Sequence, residues 1–240
     1  MLFHSSIVRN ALLASLDSDA FEILRPHLQR VSLKRGQVLQ EARRKPSKIY
    51  FIESGVAIIS ARTRRDGLVG VGFVGRFGFV GVPVALGTVY SINRCIVEVP
   101  GEAFQLDASD AVAAMKASVA IRQKLMNYVQ ALLVQNSQTA LCNARHELEE
   151  RLARWLLLAQ DRLESNVIPL THDLFSMALG VRRAGVTTSL AKLEREGAIK
   201  KARGEIEIVD RELLSEKSCE CYRVIAGEYD RLVGGRKTRK

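Results

Sequence analysis

The side chains with the clearest chemical purpose lie between residues 171 and 209. Arg182, Arg183, Thr187, Thr188 and Lys192 recur on one side of a helical stretch, while Val186, Leu190 and Leu193 recur on the other at steps of four and three. A guanidinium offers a planar fork that bonds guanine O6 and N7 together, so Arg183, near the start of the stretch, is the candidate base reader. The hydroxyls and methyls of Thr187 and Thr188 suit base edges or a thymine methyl, and Arg182 and Lys192 suit phosphates. Lys200, Lys201 and Arg203 follow as a second cationic group. The competing reading is a solvated, charged helix face.

The elements that must position these groups decide between the two. Thr171 is a good N-cap, followed by Leu174, Phe175, Ala178 and Leu179 for a short helix, and Gly180 suits its left-handed close. A second helix is predicted from about Arg182 to Glu196, with Gly197 after it. Residues 198–209 then alternate as a β-hairpin turning near Arg203-Gly204. Helix, glycine-containing turn, helix and basic hairpin in that order form a winged helix-turn-helix. The expected partner is double-stranded DNA, with Thr171 added to the contacting set.

Other chemistry finds little support. Ser/His/Asp spacings, paired carboxylates on one face and lysine-type phosphate loops are missing, so the chain is not read as an enzyme. Gly70-x-Gly72-x-x-Gly75 has the spacing of a dinucleotide fingerprint without a surrounding βαβ pattern, and is read as strand and turn. Cys95, Cys142, Cys219 and Cys221 are too few for a disulfide framework. Cys219-x-Cys221 lacks the C-x-x-C spacing, so these are read as inert thiols with no metal site. His4, His27, His146 and His172 are scattered, and neither haem nor an iron–sulfur cluster is expected. No cofactor is assigned.

The bulk properties agree. A formal net charge of +10 suits an anionic partner, but residues 1–150 and 151–240 carry +5 each, so charge alone locates no site. Apolar residues make up 47% of the 240 and charged ones 26%, ordinary for a globular protein. No run approaches a membrane span, and the opening Met1–Ile7 lacks the basic and apolar segments of an export signal, so a cytoplasmic location is expected.

Upstream, residues 8–29 read as helical. From 30 to about 106 come short β-rich runs: Val31–Leu33, Val38-Leu39, Ile49–Ile52, Val56–Ile59, Val69–Val71 and Ile96–Val99, with Asp66-Gly67 as a hairpin turn. They predict a small antiparallel barrel or jelly roll. Ala108 to Cys142 has no glycine or proline and reads as one long helix. Its seam runs through Ser118, Arg122, Leu125, Val129, Leu132, Asn136 and Thr139. That helix either lies on the β-domain or pairs with its twin; Leu125, Val129, Leu132 and Asn136 are assigned to a homodimer, with Asn136 fixing register. A further helix is predicted over 146–163, with Trp155 in its core face.

Taken together, Arg151-Leu152-Ala153-Arg154-Trp155-Leu156-Leu157, Leu179-Gly180-Val181-Arg182-Arg183, Leu193–Ile199 and Ile206–Arg211 resemble the CRP/FNR superfamily of transcription regulators. Tyr50–Gly55 is similar to the central strand and turn of that family's β-roll. The resemblance implies an α+β fold. Residues 1–107 form a cyclic-nucleotide-binding-like β-roll, 108–145 a dimerisation helix and hinge, 146–228 the winged helix-turn-helix, and 229–240 a basic disordered tail. It also implies a homodimer on a near-palindromic operator, with RNA polymerase as a further partner and an effector in the roll that rotates the DNA-binding domains about a hinge near Cys142–His146. By the same resemblance Phe79, Val80, Gly81, Val82 and Arg94 would line the effector site. Val82 stands where nucleotide-binding members carry a glutamate for the ribose hydroxyl, and Arg94 is displaced from the phosphate-binding position, so no ordinary cyclic AMP response is expected. An unknown small anionic effector and a vestigial pocket remain open, as does a ligand-binding module that does not act on DNA. In the recognition helix Ala184 and Gly185 follow Arg183 where the family often has glutamate, and Thr188 replaces a second arginine, so the operator should differ from the best-known one.

Overall fold

A computed structural model describes residues 8–62, 64 and 67–234. The helical N-terminal stretch is two short helices, α1 (Ala11–Ala14) and α2 (Ser18–Leu24), followed by a 3-10 turn. The division follows from two capping side chains, Asn10 accepting from Leu12 and Leu13 amides and Asp17 accepting from the Ala20 amide.

The roll is built from β1 (Gln29–Leu33), β2 (Val38–Gln40), β3 (Lys48–Ile52), β4 (Val56–Arg62), β5 (Leu68–Val74), β6 (Phe79–Val80), a one-turn helix α3 (Val82–Ala85), β7 (Arg94–Val99) and β8 (Gly101–Asp107). They form two four-stranded antiparallel sheets, ordered β1-β8-β3-β6 and β2-β7-β4-β5. All six β-rich runs lie in strands; β6 and β8 are additions that the sequence pattern did not single out. The Asp66-Gly67 turn lies partly outside the described residues, as does the Met1–Ile7 opening.

The long helix is broken. α4 (Ala108–Ala117) ends at Ser118, whose backbone is extended and whose hydroxyl accepts from the Ile121 amide to start α5 (Val119–Arg145). A serine is a better N-cap than a helix interior residue, so the break needs neither glycine nor proline. The chain continues as α6 (Leu148–Leu163), β9 (Val167–Ile168), α7 (His172–Leu179), α8 (Arg183–Arg195), β10 (Ile199–Ala202), β11 (Glu205–Ile208), α9 (Arg211–Glu216) and α10 (Cys221–Leu232). The wing is a three-stranded antiparallel sheet, β10-β11-β9, because Ile206 and Glu207 pair with Ile168 and Val167. The segment expected as a tail from 229 is helical as far as Leu232, with Tyr229 buried in the core.

One core runs through the roll, α5 and the C-terminal part. The glycines at 70, 72 and 75 explain how. A Cβ on Gly70 would stand 2.8 Å from the Ala178 Cα, and one on Gly75 would stand 2.7 Å from the Arg162 Cβ. A Cβ on Gly72 would crowd the Gln135 and Asn136 side chains. This glycine spacing is therefore a docking strip on which α5, α6 and α7 lie, and its reading as strand rather than phosphate loop is the correct one. Across it Trp155 bridges Phe73 (centroids 4.9 Å) and Phe175 (5.0 Å), while the buried Arg162 lies over Phe73 and Tyr229 and donates to Gln135.

The α5 faces differ from expectation. Leu125 and Leu132 are buried in the chain's own core, and the Asn136 amide oxygen is buried with no hydrogen-bond partner. The apolar residues left outside are Val119 (68% exposed), Leu133 (55%) and Leu141 (44%), with the half-buried Met126 between them. The free stripe is thus rotated by about one residue from Leu125, Val129, Leu132 and Asn136. Periodicity alone could not place it, because both stripes repeat at steps of seven.

Candidate nucleic-acid interface

α7 and α8 are positioned by local chemistry and by α6 behind them. The Thr171 hydroxyl accepts from the Leu174 amide (3.3 Å) and opens α7. Gly180 ends it in the left-handed region (φ 64°), and the Leu179 carbonyl accepts from Arg151 Nη2 of α6 at 2.6 Å. Ser176 donates to the Val181 carbonyl in the turn. Val186, Leu190 and Leu193 are completely buried, which fixes the roll of α8 about its axis. The opposite face is therefore forced outward.

On that face the structure brings together Arg183, Thr187 and Thr188, all exposed, with Arg182 just before the first helical residue. The Arg183 guanidinium is 65% exposed and rests 3.1 Å from Asp173, itself 70% exposed, at the start of α7. The Thr187 hydroxyl donates to the Arg183 carbonyl and meets His172 Nδ1 at 3.1 Å, while Thr188 donates to the Ala184 carbonyl. Lys192 is tied to Glu149 of α6, Nζ to Oε2 at 2.6 Å, and that hydrogen bond raises its pKa. Gly185 has a packing reason rather than one of approach to a ligand. A Cβ there would stand 3.0 Å from a Leu148 methyl of α6.

The wing splits its three cations. Lys200 and Arg203 are exposed and, among the described residues, make no ion pair, as is also true of Arg182. Gly204 (φ 81°) closes the hairpin turn beside Arg203. Lys201 is placed differently from the other two. It shares the inward side of β10 with Ile199, and both its Nζ (2.8 Å) and its amide (2.8 Å) engage Glu194 of α8. The Lys201 ammonium holds the Glu194 carboxyl below its ordinary range. Lys201 fastens the wing to the helix.

The residues assigned to an effector are not gathered in this way. Phe79 and Val80 are core residues of β6, and Gly81 lies so close to Ile49 that a Cβ would stand 2.5 Å from its methyl. Val82 begins α3 and Arg94 belongs to the other sheet, 3.2 Å from Glu41. Tyr128 of α5 fills the space beside them, its ring tilted against Phe79 with centroids 5.0 Å apart and pressed close to Gly78.

One cluster went unrecognised in the sequence. Cys142, His146, Cys219 and Cys221 converge where α5 ends and α10 begins. Cys142 and His146 are spaced one helical turn apart, which was a readable signal; their meeting with Cys219-x-Cys221 was not.

Comparison with known proteins agrees with this geometry. Residues 150–217 match the family model of the Crp-like helix-turn-helix domain. No curated protein matches by sequence. Among solved structures, FixK2 from Bradyrhizobium japonicum superposes with a TM-score of 0.70 at 16% identity, over 80% of this chain and 98% of that one. A CRP/FNR-family transcriptional regulator of Thermus thermophilus gives 0.63 at 22% identity, over 79% and 98%. The c-di-GMP-responsive global regulator CLP of Xanthomonas campestris gives 0.63 at 14%, over 80% and 99%. At these identities the likeness establishes the fold, and the family match itself is confined to residues 150–217. No helix is long and apolar enough to cross a membrane among the described residues. Residues 150–217 thus belong to the Crp-like helix-turn-helix family, on a fold that the chain shares with these solved regulators.

Proposed function

We propose that two copies of this chain bind a near-palindromic DNA operator, each placing the N-terminal end of α8 in a major groove. The observation that carries the reading is the orientation of α8. Burial of Val186, Leu190 and Leu193 leaves Arg182, Arg183, Thr187 and Thr188 as its outward face. Arg183 reads a guanine, Thr187 and Thr188 meet neighbouring base edges, and Arg182, Lys200 and Arg203 hold phosphates. Lys192 can join them only by leaving Glu149, and Lys201 acts by holding the wing in place.

The dimer forms along the uncovered stripe of α5, with Val119, Met126 and Leu133 at successive steps of seven. The regulator acts in the cytoplasm, where RNA polymerase is its natural neighbour on DNA. Control without a ligand in the roll is the favoured form, because Tyr128, Phe79 and Val80 occupy the interior and Arg94 already faces Glu41.

Selection of duplexes from a random pool by the purified protein tests the proposal. The expected product is a two-fold-symmetric sequence whose half-sites lie about one helical turn, ~34 Å, apart. Absence of any enriched sequence at physiological salt refutes it.

A further inference from the structure

The ligating atoms of Cys142, His146, Cys219 and Cys221 all lie within 4.8 Å of one another. Cys142 Sγ is 3.4 Å from Cys219 Sγ, and Cys221 Sγ is 3.7 Å from His146 Nδ1. A metal–sulfur bond of about 2.3 Å implies a tetrahedron edge of about 3.8 Å, the scale of these separations. We propose that these four side chains hold one zinc ion per chain in a tetrahedral Cys3His site.

Two observations outside the ligand set point the same way. The first is the histidine's far side. With Nδ1 turned to the cysteines, Nε2 lies 3.4 Å from Glu220 Oε1. A carboxylate on the remote nitrogen of a ligating imidazole fixes its tautomer and aims the lone pair at the metal. The second is Arg154 of α6. It is 2% exposed, its Nε has no hydrogen-bond partner, and among the described residues no carboxylate pairs with it. What its charge acts on is the cysteine group, Cys142, Cys219 and Cys221, each drawn toward its thiolate form by the guanidinium. A buried guanidinium requires a compensating anion. Three thiolates and a neutral imidazole on a divalent ion carry a net charge of −1, which is the anion Arg154 lacks.

The donor set selects the ion. Soft thiolates with one imidazole at a single tetrahedral centre fit zinc, whereas carboxylate-seeking magnesium and calcium find no oxygen here. A closed set of four protein ligands, three of them buried, marks a structural site rather than one that activates water. Zinc displaces one proton from each thiol into solvent, three in all, with no change of oxidation state. A disulfide between Cys142 and Cys219 would use two of the four groups and leave Arg154 without its anion. The ion would tie the end of α5, and with it the hinge between the long helix and α6, to a point 77 residues later in the chain. That clamp would set how the DNA-binding part hangs from the dimer helix.

The test uses the full chain, reduced and metal-free, titrated with cobalt(II) as a spectroscopic stand-in. The expected spectrum has the intense visible bands of tetrahedral cobalt and a thiolate-to-metal charge-transfer band, saturating at one ion per chain and bleached by zinc. Protein purified without added metal should carry one zinc by elemental analysis. Cys219→Ser and Cys221→Ser should each weaken the charge-transfer band, while Cys95→Ala, in β7, should leave it intact. Because loss of a buried ligand can unfold the chain, Glu220→Gln is the second variant. Its side chain is 69% exposed, so the fold should stand while zinc affinity falls about 10-fold. A weak octahedral cobalt spectrum, an unchanged spectrum in both cysteine variants, or unaltered affinity in Glu220→Gln overturns the proposal. So does a Cys142–Cys219 disulfide in place of metal in anaerobically prepared protein.

Discussion

Replacing Arg183 by alanine separates recognition from stability, and the structure sets both magnitudes. The ion pair with Asp173 is 3.1 Å long, but its side chains are 65% and 70% exposed, so it contributes no more than about 1 kcal/mol. Arg183 is also the first residue of α8, where a positive charge opposes the helix dipole by ~0.3–1 kcal/mol. The two effects offset, and folding stability should change by less than about 0.5 kcal/mol. Binding should change far more. A bidentate arginine–guanine pair discriminates by about 1–3 kcal/mol, which is roughly 5- to 160-fold in Kd for one half-site. A dimer loses it twice, about 2–6 kcal/mol in all. Fluorescence anisotropy with the selected operator and its single-base variants, at several salt concentrations, reads the loss and its location. The variant should become indifferent to one base pair per half-site while the salt slope stays the same. An equal loss on every duplex, with the slope reduced by about one per protomer, would mean that Arg183 touches phosphate, and the assignment of the base reader would fail.

Further outcomes follow from the packing. Leu133→Asp should turn the dimer into a monomer in sedimentation experiments with little loss of melting temperature, since Leu133 is 55% exposed. Leu132→Ala, one residue earlier, should instead cost about 2–5 kcal/mol of stability, and the reverse pattern would put the partner on the other stripe. A Cβ on Gly78 would fall 2.3 Å from the Tyr128 ring, so Gly78→Ala should destabilise the roll by at least about 1–3 kcal/mol in urea melts. Tyr128→Phe should be nearly neutral, because the Tyr128 hydroxyl is buried with no hydrogen-bond partner; a large loss there would expose an overlooked contact. Finally, Glu194 is held below its ordinary pKa of 4.5, first by the Lys201 side chain and then by its amide. A depressed carboxyl contributes stability above its unfolded-state pKa and loses it as pH falls through the folded value. Glu194→Gln should therefore flatten the melting-temperature profile below about pH 4.5, and an unchanged acid limb would show the wing anchor to be inert.

Much of the fold was legible because local rules and tertiary packing agree. Thr171, Gly180, Gly197 and Gly204 each mark an element boundary by backbone chemistry alone, and the structure ends or turns its elements there. Val186, Leu190 and Leu193 repeat at a helical step, so which face of α8 points outward follows from the sequence. The six β-rich runs are strands for the same reason. Where two local signals competed, the reading failed. Ser118 sat in an unbroken helical pattern, yet its hydroxyl caps a new helix, and Asp17 did the same earlier.

What the amino-acid order determined by itself was thus the kind of elements, their sequence along the chain and the cationic face of α8. Tertiary structure decided which of those groups remain free. Lys192 and Lys201 look like Lys200 in one dimension, and only the approach of Glu149 and Glu194 withdraws them. It decided the α5 stripe, because two apolar repeats one residue apart are equivalent until the roll covers one. It also assembled Cys142 and His146 with Cys219 and Cys221 across more than seventy residues. Periodicity is a property of neighbours within one element, whereas contact between elements depends on how their buried faces fit. No spacing rule carries that information.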